Sequence, residues 1–293
     1  MSAPSASGVL RAAAGDLTPF ADPSVSALVD GPGERPPWLD ELARLVVTGR
    51  LVVPRTTLTA AALGDFTAWA RSALAGAPPA VARPLLEDMA GIVGRVRVGA
   101  GNGPVLVRVF TEAPTRRCGF HVDTVPPDSP TVGAVRVYNG PTTEYVASGD
   151  VLGMADFYAY LSRRERLSRQ AADLCRPDAD AATETDTSDT SAYPANAADT
   201  VDPADTGTDP ATAAALGELL AMDENPSFLR PGAPIHRVPD DATVYFRHID
   251  VTRHWSPHPV SDTWIHRSPM RGGPRLVLNV SPTRTVSANP GRR

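Results

Sequence analysis

The stretch Cys118-Gly-Phe-His121-Val-Asp123 lies between a run of alternating valines at 105–109 and a second run at 131–138. The first run is typical of a half-buried strand, and the second is interpreted as another strand. Because side chains alternate along a strand, we expect His121 and Asp123 to share one face. An imidazole and a carboxylate held in this way can grip one divalent ion. The stretch therefore predicts a metal site at the end of a strand.

A third ligand is expected from a distant strand, and His266 in Trp264-Ile-His266-Arg-Ser-Pro is the candidate. Two histidines and one carboxylate form a facial triad, which leaves adjacent positions open for substrate and oxygen, as in non-haem iron(II) oxygenases. A Gly-Gly-Pro turn at 272–274 then leads into a last strand over 275–281.

Two arginines after His266 compete to hold a ligand carboxylate. Arg275 follows His266 by nine residues and begins the last strand, whereas Arg271 lies in the turn. A guanidinium can pair with a carboxylate through two parallel hydrogen bonds, and we favour Arg275 because a strand holds that fork in better register. Tyr138 can donate to the same carboxylate from a neighbouring strand, but a packed aromatic explains it equally well. Arg136 can serve a substrate acid or an internal ion pair.

A second His-x-Asp pair, His248 and Asp250, shows that the motif alone is weak evidence. We expect this copy to lie outside the metal site, because the first copy follows a strand by a short turn, precedes another strand, and has a His and an Arg at suitable positions downstream. His254 and His258 are expected in a loop, with a role at the rim of a pocket as the alternative. Cys118 is expected to be a buried strand cysteine.

His121-x-Asp123, His266 and Arg275 resemble the signature of the iron(II)- and 2-oxoglutarate-dependent dioxygenases. The sequence resembles even more closely a bacterial domain-of-unknown-function family, number 1826, over roughly residues 95–150 and 230–282. The similar segments are Phe120-His121-x-Asp123, Arg136-Val-Tyr138-x-Gly140-Pro141-x-Thr143-Glu144-Tyr145 and His266-Arg-Ser-Pro269.

The resemblance implies a fold and an activity. The fold is a double-stranded β-helix, a cupin-like jelly roll, with the N-terminal helices packed outside it, so the class is mainly β with a helical extension (α+β). The activity is oxidation of a small molecule by molecular oxygen, with Fe(II) as metal, 2-oxoglutarate as co-substrate, and succinate and CO2 released. A carboxylate at Asp123, in place of Gly or Ala, favours hydroxylation over halogenation. A cupin-type metalloenzyme without 2-oxoglutarate and a non-catalytic jelly-roll binding module remain alternatives.

The predicted organisation has one main domain. Residues 1–35 are expected to be loose, and three helical patterns fill 36–95, the second beginning near Thr57 or Thr59. The catalytic domain is placed at 96–282, and 283–293 form a loose tail. An insertion at 177–212 interrupts this domain with nine acidic residues and no base, and it has too few apolar residues to offset its ordering entropy.

Composition narrows the function classes. The 293 residues carry a formal charge of -5, and all 28 basic residues are arginine, which excludes Schiff-base lysine chemistry and a P-loop lysine. Outside the acidic insertion the charge is too weakly positive for a nucleic-acid partner. Two cysteines cannot build a disulfide framework. With no signal-like start and no long apolar run, we expect a cytoplasmic protein with no membrane partner. The oligomeric state stays open.

Overall fold

The computed structural model describes residues 8–12, 15–31, 35–114, 119–174 and 210–283. Cys118, Cys175, the acidic insertion up to residue 209 and the tail from 284 lie outside these ranges. The helices are α1 (Trp38–Val47), α2 (Leu63–Ala73), α3 (Pro79–Gly99), α4 (Met154–Leu174) and α5 (Pro210–Glu224). The strands are β1 (Val9–Ala12), β2 (Ala27–Asp30), β3 (Thr56–Ala60), β4 (Val105–Glu112), β5 (Thr124–Val125), β6 (Val132–Val137), β7 (Glu144–Tyr145), β8 (His236–Arg237), β9 (Thr243–Arg247), β10 (Ile249–Asp250), β11 (His266–Arg267) and β12 (Arg275–Pro282).

Seven strands form one large sheet in the order β1-β2-β9-β6-β12-β4-β3. All its pairs are antiparallel except β1 with β2. The last strand of the chain, β12, lies near the middle, with Leu278 opposite Val109 of β4 on one side and Arg136 of β6 on the other. The fold is therefore mixed α+β, built on a large and mostly antiparallel sheet.

The alternation of side chains divides this sheet into two faces, which β12 shows well. Leu276, Leu278 and Val280 lie on the face that packs against α1, α2 and α3, and we call this the helix face. Val277 lies on the opposite face, in a second core with Phe110 and Phe246, and we call this the inner face. Each large apolar side chain that is fully buried in such a core contributes roughly 1.5–3 kcal/mol of stability.

Shorter strands cover the inner face. One small sheet has the order β11-β7-β8, and β10 pairs with β5 in parallel. Trp264 and Val238, which flank strands of the small sheet, join the same core as Val277, so the small sheet packs on the inner face. All of these elements belong to one compact unit, comprising residues 1–155 and 229–293.

Residues 156–228 form a second compact unit. In this unit Phe157 and Tyr160 contact the ring of Phe228, with ring centroids 5.1 and 4.9 Å apart. Asp223 is fully buried and accepts hydrogen bonds from the Tyr160 hydroxyl and the Arg164 guanidinium. Among the described helices, none is long and apolar enough to cross a bilayer.

The structure corrects several boundaries. Residues 1–35 were expected to be loose, but they hold β1 and β2, whose short runs become strands by pairing with each other and with β9. The segment at 57–60, expected in a helix, is the edge strand β3, as its alternating threonines favour. The strand that carries His266, β11, is only two residues long, and Val260–Asp262 before it form a short 3-10 helix. Pro210 begins α5, so the last three residues of the predicted insertion are helical.

Candidate metal centre

Two backbone hydrogen bonds bring the first and third predicted ligands together. The amide of His121 donates to the carbonyl of His266 over 2.9 Å, and the reverse bond spans 3.1 Å. This antiparallel bridge places the two imidazole rings with their centroids 4.5 Å apart. Residues 145 positions apart in the sequence therefore present their side chains to one point.

Asp123 completes the group. Its Oδ1 lies 3.9 Å from Nε2 of His121, and its Oδ2 lies 3.9 Å from Nε2 of His266. One ligand atom from each residue falls within 4.8 Å of the others, and no other such group occurs in the described ranges. The structure therefore brings His121, Asp123 and His266 into one cluster that could hold a divalent ion.

Hydrogen bonds fix which nitrogen each histidine presents. Nδ1 of His121 lies 3.0 Å from the carbonyl of Gly119, and Nδ1 of His266 lies 3.0 Å from the carbonyl of Trp264. Because a carbonyl only accepts, each Nδ1 carries the proton in the neutral ring. The lone pair is then on Nε2, the atom that faces Asp123. A backbone carbonyl in this position is the usual outer-shell partner of a metal-binding histidine.

The electrostatics favour the protonation states that a metal requires. Burial alone would raise the pKa of the Asp123 carboxyl, but His266, His248 and His121 outweigh it and lower this pKa to about 2. Burial, reinforced by His121, lowers the pKa of His266 to about 3. At neutral pH the carboxylate is charged and His266 is neutral.

One buried carboxylate oxygen of the cluster, Oδ2 of Asp123, has no hydrogen-bond donor among the described residues. Leaving a buried charged acceptor unsatisfied is costly. A divalent cation between Asp123 and the two Nε2 atoms would satisfy this oxygen, so the residues present fit a metal ion.

His248 was expected outside the site, yet it lies beside Asp123. Its Nε2 is 3.9 Å from Oδ2 of Asp123, and its side chain is 0% exposed. The parallel pairing of β10 with β5 brings it there, since the amide of Ile249 donates to the carbonyl of Asp123 over 2.9 Å. Burial lowers the pKa of His248, so its ring is neutral. The local sequence gives no signal for this pairing.

The other half of the second motif, Asp250, is half-buried and lies outside the cluster of three ligand atoms. Asp250 accepts hydrogen bonds from the amide and hydroxyl of Thr252, at 2.8 and 2.6 Å, and so caps a turn. His254 and His258 lie in the loop that follows, where the sequence placed them.

Arg275 lies on the inner face, the face that carries the second core. Its side chain is buried, and its two terminal nitrogens donate to the carbonyl of Pro141 over 3.0 Å and to Oγ of Ser268 over 2.8 Å. Ser268 is two residues after His266, which ties the guanidinium to the strand of the third ligand. Arg271 is exposed in the turn.

The structure does not bring Tyr138 to the cluster. Tyr138 lies on the helix face, where its hydroxyl donates to Oδ2 of Asp88 over 2.7 Å. The neighbouring Arg136 forms an ion pair with the same carboxylate, at 3.4 Å, and donates to Thr243. Both side chains are thus used inside the sheet–helix interface. The role of Tyr138 as a co-substrate donor is not retained, because the large sheet separates it from His266.

Sequence reasoning overlooked Trp264. Its ring is buried and stacks on the ring of His266, with centroids 4.3 Å apart and planes 14° apart. The indole Nε1 is buried and meets no acceptor among the described residues. Its position two residues before His266 is the signal that could have found it, since period two places both on one face.

Comparisons with known proteins add little to this geometry. No family model matches the chain, and no curated protein matches it. One match among solved structures is the dioxygenase for auxin oxidation from rice, with 12% identity and a TM-score of 0.36, over 89% of this chain and 74% of that chain. A likeness at this level does not assign a function. The resemblance to family 1826 rests on the motif residues alone.

Proposed function

We propose that the chain is a non-haem oxygenase that depends on iron(II) and 2-oxoglutarate and oxidises a small-molecule substrate. The observation that carries the proposal is the cluster of His121, Asp123 and His266, in which a charged carboxylate with an unsatisfied buried oxygen faces two Nε2 lone pairs. Two histidines and one carboxylate with open positions are the ligand set of non-haem iron(II) oxygenases.

The strand order supports a double-stranded β-helix around this cluster. Along the chain the strands alternate between the two layers: β4 lies in the large sheet, the His121 segment bridges to β11, β6 returns to the large sheet, and β7 and β8 lie in the small one. β9, β11 and β12 continue the alternation. Two antiparallel sheets that exchange strands in this way around a shared core are the plan of a jelly roll.

Arg275 is the proposed anchor for 2-oxoglutarate. Pro141 and Ser268 fix the plane of its guanidinium on the inner face, and Ser268 follows His266 by two residues. A planar cation held in this way suits the distal carboxylate of a dicarboxylic acid, because both groups can form two parallel bonds. The cupin-type alternative has no use for such an anchor.

The roles of the other residues follow from their contacts. Bound Fe(II) would supply the activation of oxygen coupled to decarboxylation of 2-oxoglutarate to succinate. The carbonyls of Gly119 and Trp264 hold His121 and His266 with Nε2 presented. The indole of Trp264 covers one face of the His266 ring and excludes water from it. Asp123 occupies the position that a halide would need and so favours hydroxylation or a related oxidation.

An anaerobic titration with Fe(II) and then 2-oxoglutarate tests the proposal. We expect a weak visible metal-to-ligand charge-transfer band only when both are present, and succinate after oxygen is admitted. Iron binding without the band or succinate would favour the cupin-type alternative. Absence of iron binding would favour the non-catalytic binding module.

Replacing the anchor gives a second test. Arg275→Lys keeps the charge but loses the planar fork, and charge-assisted hydrogen bonds contribute roughly 1.5–3 kcal/mol each. The apparent constant for 2-oxoglutarate should rise about 10–100-fold, with iron stoichiometry unchanged. Arg271→Lys is the matched control and should do much less. If Arg275→Lys left this constant unchanged and Arg271→Lys raised it strongly, Arg271 in the turn would be the anchor.

A further inference from the structure

His248 lies as close to the Asp123 carboxylate as the ligand nitrogens do. Its Nε2 is 3.9 Å from Oδ2, the distance that also separates Nε2 of His266 from the same oxygen. At this distance it forms no hydrogen bond to the carboxylate. It also does not join the group of three ligand atoms. His248 is therefore a close neighbour of the cluster whose role the ligand set does not explain.

Two polar contacts fix the ring. Nδ1 of His248 lies 3.1 Å from the carbonyl of Thr131, so Nδ1 carries the proton of the neutral ring. Nε2 lies 3.0 Å from Oγ of Ser281 and accepts the hydroxyl proton of that residue. The single lone pair of Nε2 is taken by this hydroxyl, so the ring offers Asp123 no hydrogen-bond donor.

The His248 ring lies against Gly133, where the absence of a side chain leaves space for it. A Cβ on Gly133 of β6 would lie 2.2 Å from Cε1 of His248 and 2.5 Å from the carbonyl oxygen of Val280. The ring thus occupies the space that any side chain at position 133 would take. Phe246 stacks on it at 4.7 Å and also contacts the ring of His266 at 5.2 Å. These contacts, together with the two polar ones, hold the ring beside Asp123.

We propose that His248 is a positioning residue for Asp123. Its neutral ring lies against one side of the carboxylate without offering a donor, so Oδ2 gains no hydrogen bond by turning toward it. The carboxylate stays directed at His121 and His266, and its charge remains available to a cation. This inference rests on the metal site of the proposed function and adds a residue that holds a ligand without binding the metal.

Co(II) is the probe for the test, because its affinity and its visible bands can be measured without turnover. His248→Ala should weaken Co(II) binding about 10–100-fold, the usual cost of losing an outer-shell partner, and should alter the visible bands of the bound ion. His248→Asn separates positioning from folding. Its amide can still donate to Thr131 but does not reach Ser281 and Asp123, so it should restore the melting temperature without restoring Co(II) affinity.

Ser281→Ala is a gentler variant that keeps the ring and removes its Nε2 partner. We expect a smaller loss of Co(II) affinity in the same direction. Asp250→Ala, in the same motif but on the surface, is the control and should bind as the wild type does. Wild-type affinity and bands in both His248→Asn and Ser281→Ala would overturn the inference while leaving the proposed function intact. If the wild type itself binds neither Co(II) nor Fe(II), the proposed function fails and this inference falls with it.

Discussion

The two His-x-Asp motifs have the same residues at the same spacing but different environments. In the first, both side chains face the bridge to His266, and Asp123 has a buried oxygen without a donor. In the second, the histidine is buried against the first motif while Asp250 caps a surface turn. The parallel pairing of β5 with β10 makes the two motifs neighbours. The surroundings of Asp123 withhold hydrogen-bond donors from it and so suit it to the proposed metal site, and spacing alone does not decide this.

The largest expected effect comes from removing the two carboxylates in turn. Asp123→Ala should abolish Fe(II) and Co(II) binding while the fold survives, because one of three ligands and the only negative charge of the cluster are lost. Asp250→Ala should bind either metal normally. Metal content after dialysis and circular dichroism check both variants. If Asp123→Ala retains wild-type affinity, or Asp250→Ala loses it, the motifs have been assigned the wrong way round.

The second-largest effect is expected on stability, from a substitution at Gly133 beside the His248 ring. Gly133→Ala would place a methyl group 2.2 Å from the His248 ring and 2.5 Å from a backbone oxygen of β12. Overpacking of this kind costs about 1–3 kcal/mol, and a strand backbone cannot yield easily. Gly64→Ala in α2, where a Cβ meets nothing within 4 Å, is the matched control. Thermal unfolding of both variants measures the difference, and equal melting temperatures would mean that the ring moves freely.

Acid should weaken the metal-free fold through the buried histidines. The pKa of His266 is lowered from 6.5 to about 3, and burial also lowers that of His248. Below about pH 6.5 the unfolded chain therefore binds protons that the folded chain does not, so stability is lost progressively as the pH falls toward 3. The depressed pKa of Asp123 acts in the same direction, but only below about 4.

The melting temperature of chelated protein between pH 7.5 and 5 measures this loss. His266→Gln should flatten the profile, because glutamine does not titrate. Asp250→Asn should leave the slope unchanged, since its carboxylate is exposed. A wild-type slope in His266→Gln would show that other groups set the acid sensitivity.

The smallest effect is expected in the turn of the second motif. Thr252→Ala removes the hydroxyl that donates to Asp250 and keeps the backbone bond to the same oxygen. The melting temperature should change by at most about 2 °C, as for most surface substitutions. A drop much larger than this would mean that the turn helps to place β10 beside β5.

The sequence was sufficient for the features that depend on local alternation. β4 follows an apolar run with period two, β6, β9 and β12 follow short strand-like runs, and period two places His121 with Asp123. Features set by partners far along the chain were not predictable in this way. β2 becomes a strand through β9, and His248 reaches Asp123 through a pairing of two residues on each strand.

Tyr138 also shows what local alternation cannot predict. Alternation correctly places it on one face with Arg136, but it does not say which face meets the helices. That choice is made by α3, whose Asp88 binds both side chains. Period two gives the relation between neighbours on a strand, and the packing of whole layers gives the side on which the site is built.

The bridge between His121 and His266 also determines how the site opens. The two amides that form it are the ones that would exchange with deuterium when the ligands part, and a bound ion would join the same two strands a second time. Metal binding should therefore slow exchange at these two positions much more than elsewhere on the inner face. Because the ion would bind the assembled site and not the separated ligands, it would stabilise the closed bridge by mass action. Hydrogen exchange at these two amides would then report how much of the protein has the ion bound.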